Sequence, residues 1–200
     1  MISINKYAST GAFSRFVVAC GLSLALGSAA EAAPCSALLN RSELRLQDEK
    51  PQDLCQYAGQ VVVVVNTASF CSYTPQYKAL ESLYQRYRNR GLVVLGFPSN
   101  DFSQEPGTNK EVADFCENTF NVKFPMFTKS QVSASAGPAL NPLFAELSRR
   151  TGAAPQWNFH KYLIARDGSA VISRASDVDP ASRGFIQDIE KLLDAPTSPK

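Results

Sequence analysis

The chain has 200 residues, with 20 Lys+Arg against 18 Asp+Glu, one His and five Cys. That balance argues against the dense basic surface of a nucleic-acid or membrane-surface binder. A lone histidine leaves no His cluster for a metal, and no stretch is long and apolar enough to span a bilayer.

The first 32 residues read as a removable leader. Lys6 and Arg15 precede the apolar run "FVVACGLSLAL" at 16–26, and Ala30-Glu31-Ala32 supplies an A-x-A cut site, which is the order of a secretory signal peptide. A lipoprotein signal at "VVAC", 17–20, is disfavoured: Cys20 would lie too close to Arg15, and most of the apolar run would follow the cut. The expectation is export to the periplasm or beyond, with 168 residues and a net charge of +1 left after cleavage. That length suits one domain with a substantial core.

Residues 33–58 form a polar, helix-poor arm in this reading, with no core of its own. In an oxidising compartment its two thiols, Cys35 and Cys55, are expected to pair. Closing a loop of about 20 residues contributes roughly 3 kcal/mol in the chain-entropy model. The main domain then covers 59–194, and the tail "APTSPK", 195–200, is expected to be disordered.

Within the domain, "VVVVVN" (61–66) is the continuous β-branched run of a strand covered on both faces. A helix over 75–90 follows, opened by Pro75 and closed by Gly91. The run "LVVLGFP" (92–98) completes a β-α-β unit, so these two strands are parallel with a right-handed crossover. A loop leads to a helix over 109–120, then "KFPMF" (123–127) reads as a short strand and 130–142 as loop. A helix over 142–150 precedes "NFHKYLIARDGSAVISRA", two strands around the turn Asp167-Gly168. The last helix spans 180–193. The pattern is an α/β fold with a central mixed sheet flanked by helices.

Cys71 falls in the loop after the first parallel strand, at the carboxyl end of the sheet, where open α/β folds place their ligands. Only a thiolate attacks, so a useful nucleophile needs its charged form stabilised. His160 reads as an ordinary strand residue, which leaves helix-end N–H groups and neutral side-chain donors for that task.

The blocks "NTASFCSYTPQYKALESLYQRY", "GLVVLGFPSNDFSQEPGTNKEV", "DFCENTFNVKFPMF" and "WNFHKYLIARDG" resemble, in order, the signatures of the glutathione peroxidase superfamily in its selenium-independent, cysteine form. The likeness covers nearly all of 59–175. It implies a thioredoxin-like fold that reduces hydrogen peroxide or organic hydroperoxides in oxidative stress defence. By the same resemblance Cys71 is the peroxidatic nucleophile, and Gln104, Trp157 and Asn158 are uncharged donors converging on its sulfur. No cofactor is implied beyond a thiol reductant as co-substrate, either glutathione or a thioredoxin-like protein. The short segment before Trp157 is that of monomeric members. Departures are Ser72 where the family commonly has glycine, Ser99 where many members have cysteine, and a loop "DFSQEPG" one residue shorter than usual.

Two rivals on a related fold fail on spacing. A thiol:disulfide oxidoreductase needs a C-x-x-C pair, but Thr74 stands three residues after Cys71. A copper-carrying C-x-x-x-C protein would need a cysteine at Pro75. Cys116 is a possible resolving thiol, yet Val112, Phe115, Cys116, Thr119 and Phe120 share the spacing of one helix face, which turns its sulfur toward the core. Resolving cysteines of the resembling family align with Glu117, about 100° further round the helix.

Overall fold

The computed structural model describes residues 33–196; the signal-peptide reading and the end of the tail fall outside them. In chain order the elements are β1 (Ser42–Leu44), β2 (Pro51–Asp53), β3 (Val61–Thr67), α1 (Gln76–Tyr87), β4 (Leu92–Pro98), α2 (Asn109–Phe120), α3 (Pro142–Thr151), β5 (Lys161–Ile164), β6 (Val171–Arg174) and α4 (Arg183–Asp194). The expected 75–90 helix is α1 followed by a 3-10 turn, Arg88–Arg90, which ends at Gly91 with a left-handed φ of 88°.

Four strands form one mixed sheet in the order β4-β3-β5-β6. β3 pairs with β4 in parallel, Val61 opposite Leu92 through Thr67 opposite Pro98. β5 runs antiparallel to both β3 and β6. Both faces of β3 are covered, so its five valines are all buried. Val61, Val63 and Val65 pack with Tyr77, Leu80, Val112, Phe185 and Ile189, which come from α1, α2 and α4. Val62 and Val64 face the opposite layer, built from Leu143, Phe144 and Leu147 of α3 together with Leu38, Leu39, Leu54 and Tyr57 of the arm.

The arm is therefore not without a core. Its apolar residues, scattered among polar ones, complete the α3 layer, and its hairpin β1-β2 is joined antiparallel. Cys35 and Cys55 are disulfide-bonded, 20 residues apart.

The strand expected at "KFPMF" reduces to two single bridges, Gly96 to Met126 and Arg45 to Phe127. The N–H groups of Lys123 and Phe124 are taken by Glu81 Oε2 of α1, at 2.8 and 3.3 Å, and Pro125 has none to give. Gly96 makes the remaining contact possible, since a Cβ there would lie 2.2 Å from Met126 Sδ.

Candidate active site

β3 and β4 end side by side, and the chain leaving β3 turns tightly through Cys71 into α1. Thr74 closes that turn: its Oγ1 accepts the Cys71 N–H at 3.0 Å and donates to the Ala68 carbonyl at 2.9 Å. The place of a second thiol is thus filled by a hydroxyl that holds the loop. Cys71 is 8% exposed, and its Sγ accepts the backbone N–H of Tyr73 at 3.4 Å. The donor comes from the turn entering α1, where N–H groups lack intrahelical partners.

The loop after β4 lies against this turn, with Phe70 N–H donating to the Gln104 carbonyl at 3.1 Å. Two side-chain acceptors shape it: Asn100 Oδ1 takes the Glu105 N–H at 2.9 Å, and Asp101 Oδ2 takes those of Val132 and Ser133 at 2.6 and 2.7 Å. Opposite stands the segment entering β5. Asn158 is fully buried, and its Nδ2 donates to Gln104 Oε1 at 2.8 Å. Trp157 is 40% exposed and packs beside Phe102, ring centroids 5.4 Å apart.

Gln104 and Asn158 therefore meet, 54 residues apart in sequence. The convergence expected on the sulfur takes another form: the Asn158 amide serves Gln104, and the N–H given to Sγ is a backbone one.

Asn66, which sequence reasoning passed over, carries the other half of this geometry. Buried at the end of β3, it donates to the Trp157 carbonyl at 3.1 Å and accepts the His160 N–H at 3.0 Å. Its own carbonyl takes the Phe159 N–H at 2.7 Å. The segment so clamped holds Phe159 at φ 62°, a left-handed conformation that costs a bulky residue on the order of 1 kcal/mol or more. A polar residue ending a valine run was the available signal.

Lys161 was missed too. Its fully buried amine donates to Gln76 Oε1, Ser176 O and Val178 O at 3.0, 3.2 and 2.6 Å, which ties the start of α1 to the loop after β6. Burial pulls it down to about 7, against the pull of Asp177 and Asp179. His160 is buried beside Ser173 Oγ at 2.8 Å, and burial with the Lys161 charge pulls it down to about 4, so it is neutral at pH 7.

Cys116 is 3% exposed, its Sγ donating to Tyr77 Oη at 3.4 Å, and burial pushes the thiol up to about 11. Two depressions flank the Cys71 loop. One of about 900 Å³ includes Ser72, Tyr73, Trp157 and His160 in its wall. The other, about 430 Å³, is walled by Ser69, Phe70, Glu105, Val112 and Phe115. Phe70, in the wall of the second, is 68% exposed.

A loop thiol given a backbone N–H, on a loop bonded to one member of a pair of joined neutral amides at the carboxyl end of a four-stranded mixed sheet, is an arrangement for thiolate chemistry. Comparison with known proteins agrees. Residues 40–147 match the family model of glutathione peroxidase. The glutathione peroxidase homolog BsaA of Halalkalibacterium halodurans is 43% identical over 154 residues, covering 74% of this chain and 95% of that one. Among solved structures, Trgpx in its apo form is 34% identical with a TM-score of 0.63, over 82% of this chain and 99% of that one. A thioredoxin-family thiol:disulfide interchange protein from Chlorobium tepidum shares the fold at 17% identity, TM-score 0.57, over 83% and 99% of the two chains. The fold is thioredoxin-like, and the chain belongs to the glutathione peroxidase family, as a thiol-dependent peroxidase.

Proposed function

We propose that Cys71 is the peroxidatic thiol and that Gln104, Asn158 and Trp157 are its neutral partners. Attack of the thiolate on the O–O bond forms an S–O bond and expels an alkoxide or hydroxide, which takes a proton to leave as alcohol or water; the sulfur is oxidised to sulfenic acid. A first reductant thiol displaces water to give a mixed disulfide, and a second thiol releases Cys71 and the oxidised reductant. The Tyr73 N–H and the neutral amides are uncharged donors for the departing oxygen as its charge develops.

The observation that carries this reading is the Tyr73 N–H on Sγ, in a loop that Phe70 N–H ties to the Gln104 of the Gln104–Asn158 amide pair. Asn158 Oδ1 supports it, being buried with no hydrogen-bond partner among the described residues. A bare buried acceptor calls for a visitor, and a hydroperoxide O–H is one.

In this reading the enzyme acts as a monomer outside the cytoplasm, periplasmic or secreted, in defence against oxidative stress. Its signal peptide is removed, and Cys35–Cys55 is a structural crosslink. Glutathione or a thioredoxin-like protein is the co-substrate.

The test is one equivalent of hydrogen peroxide given to the reduced protein in the presence of dimedone, followed by peptide mapping. The expected sulfenic adduct lies on Cys71. An adduct confined to Cys116, or none with peroxide still consumed, would overturn the assignment. Turnover with glutathione against a thioredoxin then names the reductant.

A further inference from the structure

Below the Cys71 loop lies a carboxyl group that the chemistry above does not use. Glu105 is 1% exposed, and its Oε1 has no hydrogen-bond partner among the described residues. Oε2 accepts the Ser69 hydroxyl at 3.0 Å. From behind, the Glu105 N–H is held by Asn100 and its carbonyl accepts from Lys129 Nζ at 3.5 Å. A buried acid with one bare oxygen is a poor choice for stability alone, so its placement needs another reason.

We propose that Glu105 is a positioning residue for the peroxide reaction: through Ser69 it locks the loop of Cys71 onto the loop of Gln104, and so sets where the sulfur stands relative to the Gln104–Asn158 amides. Two bonds join the loops, from successive residues on each side. Phe70 N–H reaches the Gln104 carbonyl at 3.1 Å, and Ser69 Oγ reaches Glu105 Oε2 at 3.0 Å. One bond alone would act as a hinge; two fix rotation as well as distance. Asn66 secures the Asn158 side, so the Ser69–Glu105 bond is the fastening that holds the nucleophile to the fixed amide pair.

Burial raises the pKa of the Glu105 carboxyl, opposed by the Ser69 hydrogen bonds and the Lys129 ammonium. Glu105→Gln keeps the length of the side chain and a carbonyl oxygen for Ser69 to donate to.

The inference rests on Cys71 being the peroxide-reactive thiol, and the experiment separates the two. Reduced protein is mixed with hydrogen peroxide in quenched flow, the remaining Cys71 thiol is counted by alkylation, and reduction of the oxidised form by dithiothreitol is timed apart. Ser69→Ala and Glu105→Ala are each expected to slow Cys71 oxidation about 10- to 100-fold, the loss that a misplacement of roughly 1 Å brings. The double variant should be no slower than Glu105→Ala alone by more than about 2-fold, since the Ser69 hydroxyl acts through that carboxyl. Glu105→Gln should stay within about 3-fold of wild type, and reduction by dithiothreitol should be unchanged within about 3-fold throughout, because that step does not use the amide pair.

Oxidation at the wild-type rate in both alanine variants, losses that multiply in the double, an equal slowing of the reduction step, or a Glu105→Gln as slow as the alanine variant would each overturn the role. If Glu105→Ala does not fold, Ser69→Ala and Glu105→Gln decide by the same criteria. Peroxide consumed undiminished by Cys71→Ser overturns the functional reading and this role with it. An inert Cys71→Ser beside wild-type rates in Ser69→Ala and Glu105→Ala overturns the positioning role alone.

Discussion

Cys71 and Cys116 are 8% and 3% exposed and belong to one apolar cluster, yet they are different reagents. Cys71 stands where a strand has ended and a helix has not begun, so N–H groups around it lack ladder or helix partners, and that of Tyr73 turns to the sulfur. Cys116 stands inside α2, where backbone donors are already spent within the helix. Its thiol gives its hydrogen to Tyr77 Oη, and burial holds it protonated. Solvent exposure does not sort these two thiols; the element that carries each does, because it decides whether unsatisfied donors stand nearby.

The largest test of this contrast is activity. Cys71→Ser should lower peroxide turnover by at least about 10³-fold, as loss of a nucleophile does. Cys116→Ser should stay within about 3-fold with any thiol reductant, because an external thiol reaches the Cys71 sulfenic acid without it. A dominant Cys71–Cys116 disulfide after one equivalent of peroxide, with thioredoxin turnover lost in Cys116→Ser, would break the contrast. It would mean that α2 opens locally during turnover.

Alkylation measures the same difference without peroxide. With its thiol at about 11, Cys116 is ionised to about one part in a thousand at pH 8, and only the thiolate reacts. Iodoacetamide should therefore modify Cys71 about 100-fold faster or more, with Cys116 released only by denaturant.

The paired cysteines show a third environment. Cys35 and Cys55 close a loop of 20 residues in the arm, and replacing both by serine should lower the unfolding free energy by about 3 kcal/mol. The effect on peroxide rate should stay within about 2-fold, because Leu38, Leu39, Leu54 and Tyr57 still anchor the arm to the layer beneath β3. Denaturant titration and the peroxide assay read the two effects separately.

What could be read in the sequence follows the range of the signal. The valine run, Pro75, Gly91 and the Asp167-Gly168 turn are local, and they place Cys71 at the end of β3 without further help. Gln104, Trp157 and Asn158 were legible only through resemblance, because the bond joining two of them spans 54 residues. Lys161 illustrates the limit: periodicity in "HKYLI" tells which face a residue takes, whereas its amine is satisfied by Gln76 and by two loop carbonyls that no pattern predicts. Glu105 sits in a polar loop where no periodicity marks a buried residue, and the arm hid its core because its buried residues follow no regular period. At "KFPMF" a tertiary carboxylate, Glu81, took the donors that a strand would have used.

The smallest effect concerns alkaline stability. Burial raises the Cys116 thiol from 9.0 to about 11, so the folded chain keeps a proton that the unfolded chain releases above about pH 9. The unfolded state then binds fewer protons, and stability falls as pH rises through that window, by about 2 to 3 kcal/mol once pH 11 is passed. Tyr57 and Tyr162, raised from 10.0 to about 12, add their losses mainly above pH 10. Lys161 titrates with the opposite sign, since its lowered value makes the folded chain bind fewer protons between about 7 and 10.5, but it does so equally in wild type and in Cys116→Ser. Those two proteins differ in the thiol and in its hold on the Tyr77 hydroxyl: from pH 9 to 10, wild type should lose about 1 kcal/mol more than Cys116→Ser in denaturant titrations. Superimposable profiles would mean that the fold does not hold Cys116 protonated, and its inertness would then have to come from steric closure alone.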